Sequence, residues 1–202
     1  MSLPNRIGLA WLAWLTIAAS AAAQSPALVL RGATLIDGTD RPPQTDATVV
    51  MRNGWIVAAG KRSEVTIPEG ARIVDLAGRY LVPGFVDMHG HVAIGAWAID
   101  TSGGKPVLRY AYDEADTREL TRAQLAFGIT TVRNPAAPTR EAIALRNRTR
   151  LGEQVGPRIV TSGAPIDRPS PITATDQVTT ESEIRAAVAR QAAAGVDFIK
   201  LY

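Results

Sequence analysis

The two histidines of this 202-residue chain lie close together, in the run Asp87-Met88-His89-Gly90-His91. Apolar residues before the run predict a β-strand, and alternate side chains of a strand point to the same face. His89, His91 and Asp87 would then share one face, and two neighbouring imidazoles suit a shared metal ion. A His-x-His pair can equally be an ordinary structural pair, so the spacing alone leaves both interpretations open.

The histidine pair lies at the start of a region in which strands and helices alternate. We predict strands at Tyr80–His89, Ile129–Arg133, Arg158–Gly163 and Val196–Tyr202, and helices at Asp113–Phe127, at Thr139–Leu151, and from a capping box at Thr180–Glu183 to Gly195. We predict a long loop at Val92–Tyr112, between the first strand and the first helix. Loops of this length are usually functional or disordered.

Alternation of this kind predicts an α/β fold with βαβ units around a parallel sheet. Two architectures fit: a doubly wound sheet, or the first four units of a TIM-type (β/α)8 barrel. No Gly-x-Gly-x-x-Gly motif follows the first strand, so nothing supports a dinucleotide-binding domain. In α/β barrels the chemistry lies at the carboxyl ends of the strands, which is where the histidine pair is predicted.

Residues 24–79 have a different pattern, with about five short β-rich runs and no helical period. Asn53-Gly54 separates two of these runs and is a strong hairpin signal, because both turn positions need positive φ. We therefore predict a small antiparallel β-module before an α/β domain of residues 80–202.

Residues 1–23 resemble a secretory signal. Arg6 precedes the apolar run Ile7–Ala19, and Ala21–Ala23 offers the small residues that a signal peptidase needs. The alternative is a membrane anchor, for which this apolar segment is at the short limit. We expect cleavage near Ala23, membrane contact only during export, and a periplasmic or extracellular protein.

Composition excludes several classes of protein. The chain is 46% hydrophobic and 20% charged, which is typical of a folded protein. It has no cysteine, so disulfide scaffolds, thiolate zinc sites and cysteine nucleophiles are excluded. The net charge is only +3, and the basic run Arg140–Arg150 is interpreted as a solvated helix face. We therefore expect no nucleic-acid partner.

Three segments resemble one family. Leu81–His91 (LVPGFVDMHGH), Gly128–Arg133 (GITTVR) and Gly195–Tyr202 (GVDFIKLY) are similar to the first, second and fourth barrel strands of the metal-dependent amidohydrolase superfamily. The subgroup that they resemble is the imidazolonepropionase-like and Xaa-Pro dipeptidase-like hydrolases. The resemblance extends over Ala27–Tyr202 and implies the N-terminal half of a TIM-type barrel, preceded by a small β-sandwich-like module.

The resemblance also implies a metal site. His89 and His91 match the paired ligands of the more buried metal, and Lys200 matches a carboxylated lysine that bridges two ions, most simply Zn²⁺. Carboxylation requires carbon dioxide and a neutral amine. Asp87 would support the site or simply close the strand end by hydrogen bonding, and Trp97 and Tyr202 would line a substrate pocket or pack. Arg133-Asn134 departs from the Arg-Asp that is often found after the second strand of this subgroup.

The implied activity is hydrolysis of a C–N bond in a small amide, cyclic amide or dipeptide, through a metal-bridging hydroxide. The family pattern needs further histidines and a general-base aspartate from later strands, so the catalytic base would lie beyond residue 202. We therefore expect the N-terminal portion of a longer hydrolase, inactive by itself. The alternatives are a secreted, non-catalytic β-rich binding module and an unproductive gene fragment.

Overall fold

The computed structural model describes residues 26–95, 97–171 and 175–202. The predicted secretory signal, residues 1–23, lies outside the described residues, and so do the side chains of Trp97 and Tyr110. The chain divides into two compact units, with the division between Val82 and Pro83. Among the described residues, no helix combines the length and the apolar character needed to cross a membrane.

The first unit contains a five-stranded sheet. Its strands are β1 (Leu28–Leu35), β2 (Gln44–Arg52), β3 (Trp55–Lys61), β4 (Arg72–Asp75) and β5 (Tyr80–Leu81). β1, β2 and β3 are antiparallel neighbours, whereas β4 and β5 both pair with β1 in parallel. The prediction of an antiparallel module is wrong at these two pairings, because the chain crosses back to β1 after β3. The five strands belong to one sheet, so the two layers of a sandwich stay a prediction.

The hairpin between β2 and β3 confirms the turn prediction. Asn53 and Gly54 have φ of 51° and 79°, both in the left-handed region that a type I′ turn requires. Arg52 and Trp55 pair across the turn. The buried residues of this unit centre on Val29 and Val50.

The second unit is built on a three-stranded parallel sheet. Its strands are β6 (Phe85–Asp87), β9 (Ile129–Asn134) and β10 (Arg158–Thr161), in the spatial order β10-β9-β6. Helix α1 (Glu114–Ala126) precedes β9, and helix α2 (Thr139–Leu151) connects β9 to β10. The α/β class is thus confirmed. Within the described residues the sheet is open, so a half-barrel remains a prediction.

The three helices within the described residues lie where they are predicted, and capping residues mark their ends except at the start of α2. The Asp113 side chain accepts a hydrogen bond from the Asp116 amide at the start of α1, and α2 ends at Gly152, whose φ is 75°. α3 (Glu181–Ala194) has the predicted Thr180–Glu183 capping box and ends at Gly195, with φ of 87°.

The predicted first strand, Tyr80–His89, is two strands. β5 pairs with the sheet of the first unit and β6 with the sheet of the second, with Pro83 between them. Proline has no amide hydrogen for a sheet ladder, which explains the interruption. The segment predicted as a loop also has regular structure, because β7 (Trp97–Asp100) and β8 (Val107–Tyr110) form an antiparallel hairpin.

The predicted strand Val196–Tyr202 is not formed. Strands β11 (Ile166–Asp167) and β12 (Asp176–Gln177) precede α3 and pair in parallel. After α3, the terminal segment makes only an isolated β-bridge, in which Leu201 pairs with Ile166 of β11. The Asp197 carboxylate accepts hydrogen bonds from the Thr161 amide and from Arg146. The Asp197 amide in turn donates to the Thr161 carbonyl, and the backbone bends at Asp197 instead of continuing as a strand.

Candidate metal centre

The histidine pair lies in a turn that follows β6. The strand ends at Asp87, and both histidines come after it, so the expectation that they share a strand face is wrong. The turn nevertheless brings them together, with ring centroids 5.3 Å apart and ring planes inclined by 64°. Both residues are exposed.

Backbone groups hold this turn to the end of β9. The His89 amide donates to Asp87 Oδ1 over 2.9 Å. The Gly90 amide donates to the Arg133 carbonyl over 3.2 Å, so the turn is fixed both to its own strand and to the neighbouring one. Asp87 therefore closes the strand end by hydrogen bonding, which is one of its two predicted roles.

A hydrogen bond assigns the tautomer of the His91 ring. Its Nδ1 atom lies 3.2 Å from the carbonyl oxygen of Ala136. A carbonyl oxygen only accepts hydrogen bonds, so Nδ1 must carry the hydrogen. In the neutral ring the lone pair then lies on Nε2, which is the arrangement of a metal-binding histidine whose other nitrogen is bonded to the protein.

Gly90 is required by the close approach of its neighbours. A Cβ atom at this position would lie 2.5 Å from Asp87 Oδ2 and 2.9 Å from Val132 Cγ1. Gly90 is buried although the histidines on both sides are exposed. The two rings can therefore face outward while the peptide between them packs against the sheet.

Lys200 is placed by a different set of contacts. Its side chain is half-buried, with Nζ 4.6 Å from the ring centroid of Tyr202, and its carbonyl accepts a hydrogen bond from the Ile166 amide. The predicted strand Val196–Tyr202 that would contain Lys200 is not formed, and the Lys200 side chain packs against Tyr202 instead.

Arg133 contacts both candidate segments. Its carbonyl accepts the Gly90 amide, and its guanidinium carbon lies 4.2 Å from the ring centroid of Phe198, two residues before Lys200. Arg133, near the end of β9, thus anchors both the turn that carries the histidines and the segment that carries Lys200. Sequence patterns did not reveal this anchor, because one contact uses a main-chain carbonyl and the other joins side chains that are distant in sequence.

The donor set fits a divalent cation in part. Two adjacent imidazoles, one with its tautomer fixed, are suitable nitrogen ligands for zinc and related ions. Within the described ranges, no three His, Cys, Asp or Glu side chains are grouped closely enough to hold a metal ion. A further donor must therefore be of another kind, as a carboxylated lysine would be, or come from outside these ranges.

In α/β barrels the active-site residues lie at the carboxyl ends of the strands, and the His-x-His turn follows the carboxyl end of β6. The sequence profile of the Amidohydrolase family matches residues 80–202, and the chain belongs to that family.

Curated relatives match shorter stretches. An imidazolonepropionase of Porphyromonas gingivalis is 43% identical over 87 residues, which cover 39% of this chain and 21% of the relative. A dihydroorotase of Trichlorobacter lovleyi is 32% identical over 105 residues, which cover 52% of this chain and 21% of the relative.

Two solved structures share the fold. A Xaa-Pro dipeptidase with bound methionine has a TM-score of 0.64 at 22% identity, over 87% of this chain and 46% of that one. Phenylurea hydrolase B has a TM-score of 0.68 at 23% identity, over 87% of this chain and 45% of that one. The chain thus spans less than half the length of either structure. The imidazolonepropionase match agrees with the subgroup that the sequence resembles, and the two structures show the shared fold.

Proposed function

We propose that a protein containing these residues, at the full length of its relatives, is an exported metal-dependent hydrolase of C–N bonds. The observation that carries the proposal is the histidine pair, with rings 5.3 Å apart and His91 Nδ1 bonded to a carbonyl. Family membership supports the same chemistry.

In this proposal His89, His91 and Lys200 are the metal ligands. The Lys200 amine would add to carbon dioxide and lose a proton, which gives a carbamate with two oxygen donors. Imidazole and carboxylate donors suit Zn²⁺, and two such ions fit a bridging carbamate. When bound, the ions would polarise the substrate carbonyl and lower the pKa of bound water towards about 7.

The residues around these ligands would orient them. Ala136 fixes the His91 tautomer, while Asp87 and Arg133 hold the peptide groups of His89 and Gly90. The general base is not assigned to any residue of this chain, and we propose that residues 1–202 are inactive without the remainder of such a protein.

The substrate is proposed only as a class. The relatives are named as imidazolonepropionase, dihydroorotase and adenine deaminase, and a fold neighbour as a Xaa-Pro dipeptidase. The bond common to this range is a C–N bond of an amide, a cyclic amide or a related small molecule.

Metal content tests the ligand assignment. We expect the full-length protein to bind about two zinc equivalents, as measured by elemental analysis after gel filtration. The double variant His89→Ala/His91→Ala and the variant Lys200→Ala should each lose metal, whereas the control Lys105→Ala, on the exposed turn between β7 and β8, should retain it. Unchanged metal content in the double variant would rule out the assignment.

Export is a separate proposal with its own test. It rests on the apolar run and small residues of positions 1–23. Intact-mass measurement of protein from the periplasm or the medium should show a mature N-terminus at Gln24. A full-length mass with the initial residues retained contradicts cleavage.

A further inference from the structure

Asn134 is the last residue of β9 and is completely buried. Its side-chain Nδ2 donates a hydrogen bond of 2.9 Å to the carbonyl of Val92, which is also completely buried. The acceptor is a carbonyl, so the nitrogen of the amide must face it and the orientation of the side chain is defined. The Oδ1 atom is buried and has no hydrogen-bond partner among the described residues.

This contact completes the attachment of the histidine turn to β9. The Arg133 carbonyl holds Gly90, immediately before His91, and the Asn134 amide holds Val92, immediately after it. The next residue, Ala93, has a φ of 64°, which is strained for a residue other than glycine. The buried Asn134 side chain therefore holds the Val92 carbonyl, immediately before the strained backbone of Ala93.

We propose that Asn134 is a positioning residue of the metal centre, which sets the main-chain position of His91 through the Val92 carbonyl. The inference rests on the proposed function, because it requires His91 to bind metal. Only a donor can satisfy the carbonyl here. An ionised aspartate at this position would place an oxygen against the carbonyl oxygen instead.

Cobalt binding to the full-length protein tests the proposal. Asn134→Leu removes the donor and fills a similar buried space, and Asn134→Asp keeps the shape but supplies only acceptors when ionised. Each variant should weaken Co²⁺ affinity by about 10-fold or more, as loss of groups that orient ligands typically does, and should shift the visible absorption bands of bound Co²⁺. Asn134→Asp keeps the experiment decisive if Asn134→Leu does not fold.

The matched control is Thr121→Val. Thr121 is completely buried in α1, and its hydroxyl lies within hydrogen-bonding distance of the Arg118 and Val155 carbonyls, so the control also removes a buried donor to a main-chain carbonyl. It should lower the melting temperature but leave Co²⁺ affinity and spectrum unchanged. Wild-type affinity and spectrum in both Asn134 variants would overturn the proposal, and so would losses equal to that of Thr121→Val. Absence of cobalt binding by the wild-type protein would instead refute the proposed function itself.

Discussion

Gly90 separates the two histidines in a space that admits no side chain. In Gly90→Ala the new Cβ would need the Asp87 carboxylate and the Val132 side chain to move. We expect a loss of about 1–3 kcal/mol in the free energy of unfolding, measured by urea denaturation, together with weaker metal binding. The control is Gly103→Ala, where nothing lies within 4 Å of the added atom. Equal stability of the two variants would show that the turn has room to adapt.

At the residue scale, the sequence located the histidines but gave the wrong reason for their proximity. Strand alternation was expected to align them, whereas a turn does so. The groups that fix the turn include the carbonyls of Arg133 and Ala136, more than forty positions away. Main-chain acceptors are present at every residue, so no residue pattern distinguishes these two.

At the element scale, the Arg133–Phe198 stack connects β9 to the terminal segment. Arg133→Met removes the cation–π interaction, which is typically worth about 0.5–2 kcal/mol. Methionine still supplies a long, unbranched side chain, but without the charge. We expect faster hydrogen exchange at the Ile166 and Tyr202 amides, which bond to the carbonyls of Lys200 and Ile166. Arg185→Met, at an exposed arginine paired with Glu181, is the control and should leave that exchange unchanged. No difference between the variants contradicts the anchoring role of Arg133.

A carboxylate at the start of α3 makes the stability of the fold depend on pH. Hydrogen bonds from the Thr179 amide and hydroxyl and from the Thr180 amide lower the pKa of Glu183 to about 2. A lowered folded-state pKa stabilises the fold above the unfolded value of 4.5, and this contribution is lost as the pH falls towards about 2. The variant Glu183→Gln keeps a cap but cannot titrate. The difference in melting temperature between wild type and variant should narrow between pH 6 and pH 3; a constant difference contradicts this account.

Helix ends were predictable because their signals are local. Asp113, Thr180 and the terminal glycines each act within a few residues of the helix they cap. The absence of a regular fourth strand was not predictable, because the contacts of Asp197, where the backbone bends, are with Thr161 and Arg146, which are distant in sequence. The split of the first strand could have been anticipated from Pro83, which the apolar pattern around it concealed.

At the scale of the whole molecule, the apolar side chains of β6 and of the residue that follows it are exposed. Phe85 and Met88 are each 62% exposed, and Val86 is 55% exposed. We expect the 202-residue chain, expressed alone, to bind an apolar dye such as ANS and to self-associate, as shown by light scattering after gel filtration. A version that spans the length of its relatives should bind less dye per chain. A monomeric 202-residue chain without dye binding would refute this expectation.

The attachment of the histidine turn also bears on how such a chain can vary over evolution. Its acceptors at positions 133 and 136 belong to the main chain, so side-chain substitutions there leave the hydrogen bonds available. An insertion or deletion between β9 and α2 would instead displace the Ala136 carbonyl, which lies in that connection, whereas Arg133 lies within β9. Homologous chains should therefore tolerate drift in amino-acid identity at position 136 far better than any change in the number of residues that join the strand to the helix.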